Sequence, residues 1–209
     1  MARYLGPVCK LCRREGTKLM LKGKRCFGDK CALTNRKFPP GEMAKKRRTK
    51  LSEYGIQLRE KQKIKRNYYM MEKQFKRYYE KATKKIGITG ENLLIMLETR
   101  LDNIIYLMNF ASSKGQAKQL ILHGHVRVND KKVDKPAFAC KEGDVISLKE
   151  KSKRIRVIME NLKDLNKTSL PNWIEVDENK VEGKIVTMPQ RTDIHIPGNE
   201  QLVVELYSK

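Results

Sequence analysis

The hydrophobic positions change period several times along the chain, and each change predicts an element. The pattern is clearest from Arg100 to Lys132. Leu101, Ile104, Ile105 and Met108 recur at steps of three and four, which makes one helix face apolar. Ser113 predicts the start of a second helix, with Gln116 three residues on as its capping-box partner. Ala117, Leu120 and Ile121 are that helix's buried side, while Lys114, Lys118 and Gln119 point elsewhere, and Gly124 predicts its end. Val126 and Val128 then alternate with His125, Arg127 and Asn129, as in a half-buried strand. Asn129-Asp130 predicts a turn. Cationic and amide side chains of this helix and strand are therefore expected to converge on one basic face.

Upstream, Ile64, Tyr68, Met71, Phe75, Tyr78, Ala82 and Ile86 step by three or four and predict a long helical stretch with one apolar stripe. Its other faces are crowded with lysine and arginine. Tyr68 and either Tyr78 or Tyr79 are expected in the core, although tyrosines among lysines also suit base stacking. Gly87 and Gly90 break the pattern before a helix at Glu91. Downstream, Val145 to Leu148 reads as a strand, and Ile155, Ile158, Leu162 and Leu165 as an amphipathic helix. Trp173 to Val176 pairs with Val181 to Met188 as a hairpin. The tail from Asn199 to Leu206 is more acidic and apolar, and is expected to dock on protein. The chain shows no internal repeat and no low-complexity segment.

The balance of charge adds a partner. With 46 lysine and arginine residues against 24 acidic ones, the chain carries +22 over 209 residues. Such an excess calls for a polyanion, most simply nucleic acid. No run approaches the ~18 apolar residues of a membrane span, and the N-terminus has no signal-peptide core. Residues 1–38 lack apolar periodicity and need a staple. Cys9-x2-Cys12 followed by Cys26-x4-Cys31 has the spacing of a four-thiolate structural zinc site, with an iron–sulfur cluster as the minor alternative. Cys140 stands alone and reads as a small buried hydrophobe.

The motifs RLDN, F-A-S-S-K, A-K-Q-L-I and H-G-H-V-x-V-N, with G-D-V-I-S-L further on, resemble the small RNA-binding module named after bacterial small-subunit ribosomal protein number four. The opening MARYLGPVCKLCRREG, the segment from Leu51 to Ala82, the block TGENLLIMLETRLDNIIY, Trp173 to Asp177 and the terminus VVELYSK extend the resemblance to that ribosomal family over nearly the whole chain. Three positions depart from the module's commonest pattern: Leu107 and Lys114 stand where arginine is usual, and Asp130 where glycine is. The loop Gly41-Glu42-Met43-Ala44 replaces the usual Gly-Gln-His-Gly. The quartet of cysteines matches the zinc-carrying members.

The resemblance implies a structural protein that binds the 5′ domain of small-subunit rRNA early and nucleates assembly. It further implies contact with ribosomal protein number five of the same subunit, a part in decoding accuracy, and a basic wall at the mRNA entrance formed by Arg47, Arg48 and Lys50. The expected fold is α+β. It comprises a zinc-stapled segment at 1–44, a basic helical lobe at 45–97 to which 173–209 returns, and an inserted α/β RNA-binding module with its following helix at 98–172. Candidate RNA contacts are Arg3, Arg13, Arg14, Arg47, Arg48 and Lys50, then Arg59, Lys63, Arg66, Lys73, Lys76 and Arg77. In the module they are Lys114, Gln116, Lys118, Gln119, His123, His125, Arg127, Asn129 and Lys131, the two histidines being equally suited to packing. Two other readings are an RNA-modifying enzyme carrying the same module and a zinc-finger DNA binder. The first lacks evident pocket chemistry, and the second lacks a recognition helix.

Overall fold

The computed structural model describes residues 4–41, 50–153, 155–163 and 170–208. The chain divides into two units, Met1–Leu94 with His195–Lys209, and Ile95–Ile194.

In the first unit, α1 (Cys9–Glu15), a 3-10 turn (Gly23–Cys26) and α2 (Ala32–Asn35) precede α3 (Glu53–Asn67) and α4 (Glu72–Ala82). Ser52 starts α3, its hydroxyl accepting from Gly55 N at 3.2 Å. The expected long stretch is two helices, because Tyr69 takes a left-handed backbone (φ +52°) between them. Ile64, Tyr68, Phe75 and Ala82 are buried as the stripe predicts. Met71 and Ile86 are exposed, since one precedes α4 and the other lies beyond its end.

The acidic tail forms α10 (Glu200–Ser208), which packs on α3. Gln57 Nε2 donates to Glu205 Oε2 at 3.0 Å, and Tyr207 stacks on Tyr79 with ring centroids 4.6 Å apart. Glu72 gathers three donors: Lys61 and Lys65 at 2.6 Å each and the Tyr207 hydroxyl at 3.1 Å. Burial acts to raise the Glu72 carboxyl, but the two lysines outweigh it and hold the group at about 2. A depressed carboxylate contributes stability above its unfolded value near 4.5, lost as pH falls toward 2. Glu72→Gln is therefore expected to flatten the acid limb of stability between those values in urea titrations. The effect is small, because half-exposed pairs are screened by water. An acid limb identical to wild type would contradict it.

The second unit begins within α5 (Thr89–Glu98) and continues through α6 (Leu101–Leu107), α7 (Lys114–Leu122), β1 (Val126–Val128), β2 (Lys131–Lys132) and β3 (Val145–Leu148). Two short helices, α8 (Glu150–Lys153) and α9 (Arg156–Lys163), lead to β4 (Ile174–Asp177) and β5 (Glu182–Ile185). The strands form one antiparallel sheet in the order β2-β1-β3-β5-β4. The apolar faces of α6, α7 and α9 share a core with Val126, Val128, Ile146, Leu148, Trp173 and Ile185. Cys140 is buried beside them, as expected of a small hydrophobe. Leu165 lies outside the described residues.

The hairpin departs from expectation. It does not return to the basic helical lobe: β5 pairs with β3, with Ile146 opposite Gly183, and so extends the sheet of the second unit. Ile174, Val181 and Ile185 are buried in that unit's core, which fixes the hairpin there. Only the segment from His195 onward belongs to the first unit. Gly183 is required by the close approach of Met108. A Cβ at this position would lie 2.5 Å from Met108 Sδ and 3.2 Å from the Glu175 carbonyl oxygen. Gly183→Ala is expected to destabilise the second unit by about 1–3 kcal/mol through overpacking. An unchanged denaturation midpoint would show that Met108 swings clear.

Candidate nucleic-acid interface

Several of the residues expected to form the basic face are committed to partners within the fold. Ser113 caps α7, accepting from Gln116 N at 3.3 Å. The Gln116 side chain does not close the expected box on Ser113. Its Oε1 accepts instead from the backbone N and the hydroxyl of Ser112, each at 2.7 Å. Gln116 is thus a structural residue of the loop before α7. Gly124 ends the helix at φ +69°, as expected.

Lys114 Nζ sits 5.6 Å over the Tyr106 ring. Burial, opposed by Glu98 and Asp102, pushes its ammonium down to about 8. Lys118 Nζ lies 3.5 Å from Asp102 Oδ2, and Asp102 is itself held by Arg100 at 2.9 and 2.6 Å. These two lysines rise from a buried ion cluster rather than from open surface. Gln119, His123, Arg127 and Lys131 are exposed. His125 is half-buried, with Nδ1 2.8 Å from the Ser152 hydroxyl, so packing accounts for its ring. Asn129 is also structural: it donates to Asp144 Oδ1 at 2.8 Å and accepts from Val145 N at 2.9 Å, pinning the β1–β2 turn to β3.

That turn has two residues, Asn129 and Asp130, both with positive φ, the geometry of a tight hairpin. It places Arg127 directly opposite Lys132. Both are exposed, and residues paired in this way project from the same side of a sheet. Lys132 was not among the expected contacts. The signal for it was the two-residue turn, which fixes the register around itself. Like charges so placed repel each other unless a polyanion lies across them.

In the first unit, Lys73, Lys76, Arg77, Arg14 and Lys50 are exposed. Arg59 and Arg66 are not spare cations. Both donate to Glu15 Oε1, Arg59 at 3.2 Å, and so tie α1 to α3. Burial raises the Glu15 carboxyl even against the two guanidiniums. Lys63 pairs with Glu60 at 2.5 Å. Arg13 donates through Nε to the Phe38 carbonyl at 3.0 Å. Arg3, Arg47 and Arg48 lie outside the described residues.

The four N-terminal cysteines are free thiols within one small lobe, with Cys12, Cys26 and Cys31 buried and Cys9 half-buried. Burial raises the Cys12 thiol, and Cys26, Cys9 and Cys31 reinforce the shift, which reflects their proximity. Among the described residues no three metal-ligating side chains converge into a ready cage. Four thiols are a donor set that suits a structural zinc ion, and among the described residues the lobe's buried apolar cluster is Cys12, Leu19 and Leu21.

The family model for the ribosomal protein S4/S9 N-terminal domain matches residues 3–98, and the S4 domain matches residues 99–146. The small ribosomal subunit protein uS4 of Halothermothrix orenii is 54% identical over 212 residues, covering all of both chains. The chain belongs to the uS4 family. The uS4 proteins of Geotalea uraniireducens and Thermodesulfovibrio yellowstonii are each 52% identical, again over both whole chains. In uS4 terms, the Arg127–Lys132 pair and α7 lie within the segment matched by the S4 domain, and the cysteine lobe within the N-terminal family segment. Among the described residues no helix is long and apolar enough to cross a membrane.

Proposed function

We propose that this chain is a structural protein of the small ribosomal subunit, working in the cytoplasmic ribosome by binding small-subunit rRNA. The observation that carries the reading is the full-length identity with proteins named as small ribosomal subunit proteins. An enzymatic role has no comparable support. The physical chemistry agrees: a charge of +22 and a like-charged cross-strand pair both favour a polyanion. The mechanism is positional. Exposed Arg127, Lys131 and Lys132 neutralise phosphates from the sheet, and Lys118, held by Asp102, adds a cation from α7. Lys73, Lys76 and Arg77 supply a second basic face on α4.

The finer reading places the contact in the 5′ domain, where early binding nucleates assembly. It adds ribosomal protein number five as a neighbour, an influence on decoding accuracy, and an mRNA-entrance wall at Arg47, Arg48 and Lys50. Cys9, Cys12, Cys26 and Cys31 would hold one zinc ion, supplying a staple and no chemistry of reaction. Metal analysis of protein purified without chelator is expected to give about one zinc per chain; none would count against the staple.

The binding reading is tested by footprinting small-subunit rRNA with the chain alone across a salt titration. Discrete protected nucleotides are expected. Arg127→Gln with Lys132→Gln should reduce the log–log salt slope by about 1 for each charge removed. Protection no more selective than that of an unrelated basic protein would defeat the reading.

A further inference from the structure

The sheet of the second unit carries both signs of charge on one face. Its registers place Asp177, Glu182, Ser147, Arg127 and Lys132 in a single cross-strand row, and residues directly opposite each other share a side. The row is basic on β1 and β2 and acidic on β4 and β5. Asp177 stands directly opposite Glu182, a like-charged pair that opposes strand pairing. From Ile174 to Glu182 the chain holds four carboxylates and one lysine, although the whole protein carries +22. Such a segment repels phosphate, so the polyanion of the basic end has no place at this one. Asp177 Oδ1 accepts from Asn179 N and Lys180 N at 3.0 and 3.2 Å, which fixes the turn and brings no countercharge. Lys153 approaches Glu182 only to 3.6 Å.

β4 is also an end strand, whose paired neighbour among the described residues is β5. Val186 N donates to the Trp173 carbonyl at 3.0 Å, so Trp173, Glu175 and Asp177 turn their peptide groups toward β5. Val176 lies between them and turns its N–H and C=O to the open edge. An open cleft of about 710 Å³ is lined by Leu170, Pro171 and Asn172, by all four residues of β4, and by parts of β5 and β3.

We propose that the free edge of β4 takes an extended, lysine- or arginine-bearing segment of another protein as a sixth strand. Strand addition satisfies the Val176 N–H and C=O. Alternation puts every second side chain of the added strand on the face of Glu175 and Asp177, where a cation fits. The others lie on the face of Ile174 and Val176, where an aliphatic side chain fits. The preferred sequence therefore alternates basic and aliphatic residues. A second copy of β4 suits the edge poorly, because pairing would bring the acidic residues of one copy against those of the other. The inference is independent of the rRNA reading.

The probe is a short synthetic peptide that alternates lysine and valine, blocked at both ends and titrated onto the full chain by calorimetry. It is expected to bind although both molecules are cationic. A scrambled peptide of the same composition should bind about tenfold more weakly, and one N-methylated along a single edge should lose binding. Glu175→Gln with Glu182→Gln should weaken the alternating peptide about two- to fivefold for each carboxylate removed. Val176→Pro removes the outward N–H without touching the bonds to β5, and should weaken it about tenfold. Val176→Thr keeps the donor and should bind as wild type does. Unchanged amide protection of β3 and β5 in each variant shows that the sheet is intact.

Failure of the alternating peptide to bind wild type overturns the proposal. Wild-type affinity in a folded Val176→Pro overturns the strand addition, as does equal binding of the alternating and scrambled peptides. Should Val176→Pro not fold, wild-type affinity in the glutamine pair overturns the role of the carboxylates. Amide protection of Val176 that appears with small-subunit rRNA and not with the peptide assigns the edge to nucleic acid and overturns the proposal. A dimer of the chain that Val176→Pro dissociates assigns the edge to a second copy, with the same consequence.

Discussion

Replacing Asp102 by alanine is expected to cost the second unit about 3–5 kcal/mol, the largest single effect in the chain. Arg100 and Asp102 are almost wholly inaccessible, at 1% and 3% side-chain exposure. The carboxylate takes two donors from Arg100, and Lys118 approaches it at 3.5 Å. Without it, a buried guanidinium loses the carboxylate that holds it and faces a second cation. The pair is also positioned by its backbone, since Leu101 N and Asp102 N donate to the carbonyls of Phe138 and Pro136. Removing both charges together, as Arg100→Met with Asp102→Leu, should restore most of the loss, because the desolvation penalty then disappears with the pair. Chemical denaturation measures both. A loss below about 1 kcal/mol for the single variant would show that water reaches the guanidinium.

If the four cysteines hold the zinc ion proposed above, its removal is expected to unfold the cysteine lobe and leave the second unit intact. Among the described residues the lobe's buried apolar side chains are Leu19 and Leu21 with Cys12, Cys26 and Cys31, and Val8, Leu11 and Tyr69 pack against the cluster of Cys12, Leu19 and Leu21. So few cannot offset the entropy of ordering residues 9–36. Chelation, or Cys26→Ser, should abolish amide protection through that segment, with the protection of β1, β3 and β5 unchanged. Protection in the lobe that survives chelation would show that the Glu15 ion pairs with Arg59 and Arg66 are sufficient to hold it.

The local elements were legible because periodicity is a local signal. Leu101, Ile104 and Ile105 had to share a helix face, and Val126 and Val128 a strand face, whatever surrounded them. The placement of the hairpin was not legible, since alternation in Ile174 to Val176 is silent about which strand edge it joins. Charge was misleading for a related reason. Arg59 and Arg66 look like RNA contacts by count, yet both guanidiniums are tied to Glu15, 44 and 51 positions away. Composition marks Asn129 and Gln116 as candidate RNA contacts, yet each satisfies a backbone donor, Val145 N and Ser112 N respectively. The placement of Lys132 opposite Arg127 follows from the two-residue turn, which fixes the register.

The docking of α10 on α3 imposes an order of events. The helix that completes the first unit comes after every other described element in the chain, and joins residues as distant as Gln57 and Glu205. During synthesis the second unit can therefore close while the first still waits for its final helix. The elements of the first unit that precede the second unit in the chain are therefore locked in place only after the second unit's residues have been made.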